Sequence, residues 1–202
     1  MPRLYLASKS PRRREILASM GVTDIALLVA GPMTPGFFAG DEVQMAGERP
    51  EDYVLRTATD KARQALARIR AQNLSPAPVL AADTVVILQG EILGKPADRE
   101  EARSFLNRLS GQTHEVRTAV VAGTSEEDMK SAVSISQVHF CALEPEQIEA
   151  YIATDEPYDK AGGYGIQGLA GLFIDRIAGS YSGIMGLPVF ETGRLLKHFG
   201  VL

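Results

Sequence analysis

The chain has 202 residues, 45% of them hydrophobic and 23% charged, with a formal net charge of −4; this is enough material for a sizeable core and an ordinary balance for a globular protein. Net acidity and only 6% aromatic residues argue against a nucleic-acid partner, and no apolar run approaches the length of a membrane span. One cysteine and three scattered histidines leave no disulfide framework and no metal site built on Cys or His.

Met1-Pro2-Arg3 leads directly into the apolar strand Leu4-Tyr5-Leu6-Ala7 rather than into a signal peptide, so a cytoplasmic protein is expected. Ser8-Lys9-Ser10-Pro11-Arg12-Arg13-Arg14 follows, with Ser10 as N-cap and Pro11 as the first helical residue. Three arginines oppose the partial positive charge of a helix N-terminus. Bound phosphate would compensate them, through free backbone N–H groups, the Ser8 and Ser10 hydroxyls and the guanidinium forks; a solvated basic turn is the alternative. Ile16, Leu17 and Met20 share one face of this helix before Gly21 stops it, and Ile25–Val29 reads as a strand. A Gly/Pro-rich loop over 31–49 carries Phe37-Phe38 and the acidic pair Asp41-Glu42.

Pro50 opens a long helix to about Asn73, with Val54, Ala58, Ala62, Ala65 and Ile69 on its buried face and Lys61 near its middle. Val79–Ala82 is a fully apolar strand that runs into Asp83-Thr84; Val85–Leu88 continues extended, Gln89-Gly90 turns, and Glu91–Leu93 returns to Gly94-Lys95-Pro96. Asp98 caps a helix over Arg99–Leu109, with Glu101 completing an Asp-led capping box. Thr113–Ala122 and Lys130–Cys141 read as long antiparallel strands, a helix covers Glu146–Ala153, a strand Leu172–Ile177 and a last helix Pro188–Phe199. Cys141 is expected to be a buried structural thiol. Interleaved strands, hairpins and helices predict an α/β protein with a mixed sheet, forming a single domain over 1–202.

Asp83 is the sharpest candidate for chemistry. A carboxylate that ends an apolar strand sits where open α/β sheets place ligands, and its burial calls for a metal or a cation. It would otherwise cap a turn through its own backbone. Lys95, fixed between Gly and Pro, reads either as a phosphate contact or as a surface turn lysine. The Gly-rich stretch 155–168 matches neither a dinucleotide-binding fingerprint nor a P-loop. Its glycines permit close approach to a planar ligand, with Gln167 able to read a base edge, or they form structural turns.

Ser8-x-Ser10-Pro11-Arg12-Arg13, Ala82-Asp83-Thr84-Val85, Gly94-Lys95-Pro96, Leu109-Ser110-Gly111 and Asp155-Glu156-Pro157 together resemble the Maf family of nucleoside triphosphate pyrophosphatases, in the family's order and over nearly the whole chain. The resemblance implies an elongated, twisted mixed sheet flanked by helices, in two closely joined lobes with the site in the cleft between them, a Maf/ITPase-like arrangement. It implies hydrolysis of the bond between the α and β phosphates with a divalent metal, Mg²⁺ or Mn²⁺. Arg12, Thr84 and Gly165-Ile166-Gln167-Gly168 resemble the subgroup acting on dTTP and UTP rather than that acting on 7-methyl-GTP. Carried over by position, Asp83 is the catalytic carboxylate; Ser8, Ser10, Arg13, Lys61 and Lys95 contact phosphate; Arg12, Thr84 and Gln167 set base choice; and Asp83 with Glu42 holds the metal. A homodimer follows from the resemblance alone. So does the rival reading, a nucleotide-binding regulator of cell division linked to septum formation.

Overall fold

In the computed structural model, which describes residues 3–28 and 43–202, the chain forms two compact units. One comprises Met1–Asp83, Thr118–Val133 and Gly186–Leu202; the other comprises Thr84–Arg117 and Ser134–Met185.

Strand β1 (Leu4–Ala7) is buried at every position. It runs between two parallel neighbours, β2 (Ile25–Leu27) through Leu4↔Ile25 and β3 (Val79–Leu88) through Tyr5↔Val79 and Ala7↔Ala81. A strand covered on both faces has no need of polar alternation, which is why Leu4-Tyr5-Leu6-Ala7 is continuously apolar. Helix α1 (Pro11–Ser19) buries Ile16 and Leu17 and ends ahead of Gly21, which has φ +82°. The long helix α2 (Pro50–Ala71) packs on β1 and has Glu51 and Asp52 in its first turn and Arg68 and Arg70 in its last, the charge order that its dipole favours. Its buried stripe is Val54, Thr57, Ala58, Lys61, Ala62, Ala65 and Leu66; Ile69 is half-buried.

β3 turns back antiparallel into β4 (Glu91–Leu93). Gln89 (φ 52°) and Gly90 (φ 85°) supply the two left-handed residues that a tight hairpin requires. Helix α3 (Arg99–Leu109) is capped by Asp98, whose side chain accepts from Glu101 N at 2.9 Å. The Glu101 carboxylate reaches back to Ala97 N (2.7 Å), one residue before the cap, so the expected box is displaced by a residue. β5 (Thr113–Gly123) and β6 (Lys130–Phe140) follow, then α4 (Pro145–Ile152), three 3-10 turns at Pro157–Asp159, Ala161–Gly163 and Leu169–Phe173, β7 (Ile174–Ala178), α5 (Tyr181–Met185) and α6 (Val189–His198). The mixed sheet has seven strands in the order β2-β1-β3-β5-β6-β7, with β4 on β3, and helices flank it as expected.

The second unit's core gathers Val86, Leu93, Leu106, Leu109, Phe140, Ile152, Tyr164 and Phe173. Phe140, fully buried, meets His114, Tyr164 and Phe173 with ring centroids 5.2, 4.9 and 6.2 Å away, and removing such a ring costs roughly 3–5 kcal/mol. On β6 the polar Ser134 and Ser136 face inward while Val133 and Ile135 are exposed. Ser136 Oγ accepts from Ser180 N at 2.9 Å, so Ser136 receives the backbone entering α5. Three sequence expectations shift. Cys141 lies just past β6 and is half-buried. The last strand begins at Ile174 because Leu169–Phe173 winds into a 3-10 turn, and α5 occupies what read as a Gly-rich turn. Among the described residues no helix is long and apolar enough to cross a membrane.

Candidate active site

Asp83 does not end its strand. β3 continues through it to Leu88, because Thr84, Val85, Val86 and Ile87 are β-branched and sit readily on the pleat. What ends nearby is the parallel neighbour: the last β1 pair is Ala7↔Ala81, so β3 outruns β1, and Ser8 and the start of α1 lie beyond that last pair. Asp83 thus occupies the carboxyl end of β1 rather than of its own strand, still the place where an open sheet receives ligands.

The cation that Asp83's burial calls for comes from helix α2. Lys61 Nζ donates to Asp83 Oδ1 at 2.7 Å, and the two side chains are only 8% and 11% exposed. Breaking a buried pair of this kind from one side costs about 3–5 kcal/mol, because the remaining charge is left uncompensated. Asp83 Oδ2 accepts no hydrogen bond among the described residues. One oxygen is thus committed to Lys61 and the other makes no hydrogen bond among the described residues, so the carboxylate could offer a hard divalent cation a single oxygen. The described residues contain no group of three or more His, Cys, Asp or Glu able to hold a metal alone. Further oxygens would have to come from substrate phosphates and from Glu42, which with Asp41 lies outside the described residues.

At the end of β1, Ser8 is buried and its Oγ accepts from Ser10 N (3.2 Å) and from Arg13 Nη1 (3.0 Å). Arg13 also donates through Nε to the Gly186 carbonyl (2.8 Å), which fixes the plane of its guanidinium. Ser10 does occupy the N-cap position, with Pro11 after it, but its side chain makes no capping bond. The hydroxyl that serves this turn is that of Ser8, two residues earlier. Arg12 is half-buried and Arg14 exposed, and the first turn holds no acidic residue; the nearest carboxylate in the helix is that of Glu15, after the three arginines.

The structure therefore brings together Ser8 with Arg13, and Lys61 with Asp83, all within the first unit. Thr84, Lys95 and Gln167 belong to the second. Thr84 is half-buried and projects to the strand face opposite Asp83. Lys95 is exposed beside buried Pro96, and the preceding Gly94 carbonyl accepts from Gly162 N at 2.9 Å, so the end of the β3–β4 hairpin is tied to the Gly-rich stretch. Gln167 is exposed immediately ahead of the Leu169–Phe173 turn.

Two groups near that loop escaped the sequence reading. His114, which shows no ligand spacing, is buried with Nε2 2.7 Å from the Tyr164 hydroxyl and with no hydrogen-bond partner for Nδ1 among the described residues. Burial lowers its pKa to about 4, with the neighbouring His139 adding to the effect, and burial raises that of Tyr164. The other is Glu156, whose carboxylate accepts from backbone N–H groups 13 and 14 residues further along the chain. Its only sequence signal was its place in Asp155-Glu156-Pro157.

A mixed sheet with a lysine-held carboxylate and an oriented arginine at the mouth of its parallel strands defines an α/β protein equipped for anionic ligands. Residues 3–199 match the Maf-like protein family, and the chain belongs to the Maf family, as the motifs indicated. It is 55% identical over 200 residues to the dTTP/UTP pyrophosphatase of Bordetella avium (strain 197N), covering 99% of this chain and 96% of that protein. It is 50% identical over 199 residues to the dTTP/UTP pyrophosphatase of Cupriavidus metallidurans (strain ATCC 43123 / DSM 2839 / NBRC 102507 / CH34), covering 98% and 97% respectively. Among solved structures, a HAM1 protein from Coxiella burnetii aligns with a TM-score of 0.44 at 16% identity, over 69% of this chain and 73% of that one.

Proposed function

We propose that this chain hydrolyses dTTP and UTP, and modified pyrimidine nucleotides of the same shape, to the nucleoside monophosphate and pyrophosphate. The observation that carries this reading is the buried Asp83 carboxylate, fixed on Oδ1 by Lys61 and making no hydrogen bond through Oδ2 among the described residues. Similarity over nearly the full chain to proteins named dTTP/UTP pyrophosphatase supplies the substrate class.

In this mechanism Asp83 orients or deprotonates the water that attacks the α-phosphorus, while Lys61 fixes the carboxylate through Oδ1. The water oxygen bonds to phosphorus and the bridging α–β oxygen departs with pyrophosphate. Ser8 and Ser10 present hydroxyls to the phosphates, and Arg13, Lys61 and Lys95 stabilise the charge that develops on the leaving group. Asp83 with Glu42 would hold a divalent cation, Mg²⁺ or Mn²⁺, which would supply neutralisation of the phosphate oxygens. Arg12, Thr84 and Gln167 select the base. The same reading describes a cytoplasmic enzyme of nucleotide pools, one functional domain over the whole chain, needing neither nucleic acid nor membrane, and dimeric on family resemblance.

A panel of nucleoside triphosphates with purified protein and Mg²⁺, scoring pyrophosphate, monophosphate and orthophosphate separately, tests the assignment. Pyrophosphate with UMP or dTMP, fastest for UTP and dTTP, is the expected result. Orthophosphate with a diphosphate product, or tight UTP binding without turnover, as a nucleotide-binding regulator would show, overturns it.

A further inference from the structure

Gln167 lies on an exposed segment whose two ends are anchored. On one side Tyr164 is buried and its hydroxyl meets His114 Nε2 at 2.7 Å. On the other, Leu169 N donates to Glu156 Oε2 at 2.9 Å, and Ala170 N, itself part of a buried residue, makes a longer 3.4 Å contact to Oε1. Oε1 also accepts from the Tyr151 hydroxyl (3.0 Å), and the backbone carbonyl of Glu156 accepts from Lys160 Nζ (2.7 Å).

A 3-10 turn leaves its first N–H groups unsatisfied, and the ordinary remedy is a Ser, Thr, Asp or Asn at the residue before it. Here that residue is Gly168, which has no side chain to offer, and a carboxylate from a separate turn performs the capping. The contact is close: a Cβ on Gly168 would lie 2.2 Å from Glu156 Oε1 and 2.4 Å from Oε2, so any side chain there displaces the capping carboxylate. At the other end of the segment, a Cβ on Gly165 would lie 2.9 Å from Lys160 Cε. Gly165 and Gly168 thus flank Ile166-Gln167, and both are pressed against side chains of the Glu156–Lys160 turn.

From this packing we infer that Glu156 is a positioning residue for base selection: its carboxylate caps the turn after Gln167 and holds that side chain at the height and angle from which it meets the base. Glu156 touches no reacting atom in this account and acts through the segment 165–170. A local cap at position 168 would satisfy the same amides but would place a side chain in the space that the backbone needs to approach Glu156. The inference rests on the reading of Gln167 as a base-selecting residue, so substrate preference, rather than overall rate, is the quantity that must move.

The test uses the intact protein with Glu156→Ala, Glu156→Gln, Gly168→Ala and the double variant Glu156→Ala/Gly168→Ala. For each, kcat and KM are measured for UTP and GTP, and UTP and GTP affinities by equilibrium dialysis. Glu156→Ala and Gly168→Ala should each raise KM for UTP and lower the UTP:GTP preference by about tenfold, with kcat for UTP changed less than about threefold. Glu156→Gln, which keeps one acceptor oxygen, should recover part of that preference. The double variant should be no worse than Glu156→Ala alone, since the clash that Gly168→Ala creates is with the carboxylate that has been removed. Unchanged preference in both single variants, additive losses in the double variant, or equal falls in kcat for UTP and GTP accompanied by a lowered melting temperature would overturn the inference. Failure of the underlying reading looks different: the unsubstituted protein would release no pyrophosphate from UTP, and the inference then stands or falls on whether the same variants change the UTP:GTP affinity ratio.

Discussion

In the first unit the decisive polar groups are charges sunk into regular structure, Asp83 in β3 and Lys61 in α2, each nearly removed from water and each the other's counter-ion. In the second, they are backbone amides of a Gly-rich segment, satisfied by a carboxylate from another turn, and a neutral histidine hydrogen-bonded to a tyrosine. The difference matches the tasks proposed for Asp83 and Lys61 in the one region and for Thr84 and Gln167 in the other, with Arg12 and Lys95 crossing the division. Stabilising a transferring phosphoryl group calls for preorganised charge, which is strongest where water is excluded. Selecting a base calls for shape and a few directed hydrogen bonds, which a braced loop supplies without a net charge.

The contrast breaks most visibly at Asp83. Asp83→Asn retains the size and one acceptor but not the basicity, and should lower kcat by about 10²–10⁴-fold while the affinity for UTP stays within about threefold. Steady-state turnover with equilibrium dialysis checks this, and substantial retained activity removes Asp83 from the role of base.

Lys61→Ala leaves that carboxylate buried without its partner, so urea unfolding at neutral pH should show a loss of about 3–5 kcal/mol. If instead the loss were below about 1 kcal/mol, the pair would be behaving as a surface ion pair and the account of a desolvated charge would be wrong.

The second unit responds to pH through His114. Its folded pKa of about 4 lies below the ordinary 6.5, so between these values the unfolded chain binds a proton that the folded chain does not. Stability from this source is complete above about pH 6.5 and declines as pH falls toward 4, by about 3 kcal/mol in all. His114→Phe should lower stability at neutral pH, because the Tyr164 hydroxyl loses its partner, but should flatten this part of the pH dependence. Equal slopes for the two proteins would show that the imidazole is not desolvated.

The smallest expected effect is at Arg13. Arg13→Lys keeps the charge and loses the planar fork that spans Ser8 Oγ and the Gly186 carbonyl, so kcat/KM for UTP should fall by about tenfold with little change in melting temperature.

Much of this arrangement was legible from residues alone. The continuous apolarity of Leu4–Ala7, the Pro50 helix start, the Gln89-Gly90 turn and the Asp98 cap are local signals, and the elements form where those signals lie. The chemistry of Asp83 could also be anticipated, including its need for a cation. The identity of that cation could not, because Lys61 is 22 residues away and only the packing of α2 on the sheet brings the two together. A charged residue after an apolar run reads as a strand boundary, whereas β3 continues through Asp83 on the β-branched residues Thr84 to Ile87. Ser10 carried the capping signature, yet Ser8 Oγ serves that turn, a choice made by where the Arg13 fork lands. The role of Glu156 has the same non-local origin as the Lys61–Asp83 pair: its carboxylate meets the amides of Leu169 and Ala170, and backbone amides have no residue signature.

The central claim is that water attacks the α-phosphorus, so that the bridging α–β oxygen leaves with pyrophosphate. Hydrolysis of UTP in ¹⁸O-labelled water with Mg²⁺, followed by mass spectrometry of both products, tests it most directly. The account predicts one ¹⁸O in each UMP and none in pyrophosphate; label in pyrophosphate, or labelled orthophosphate with UDP, would contradict it.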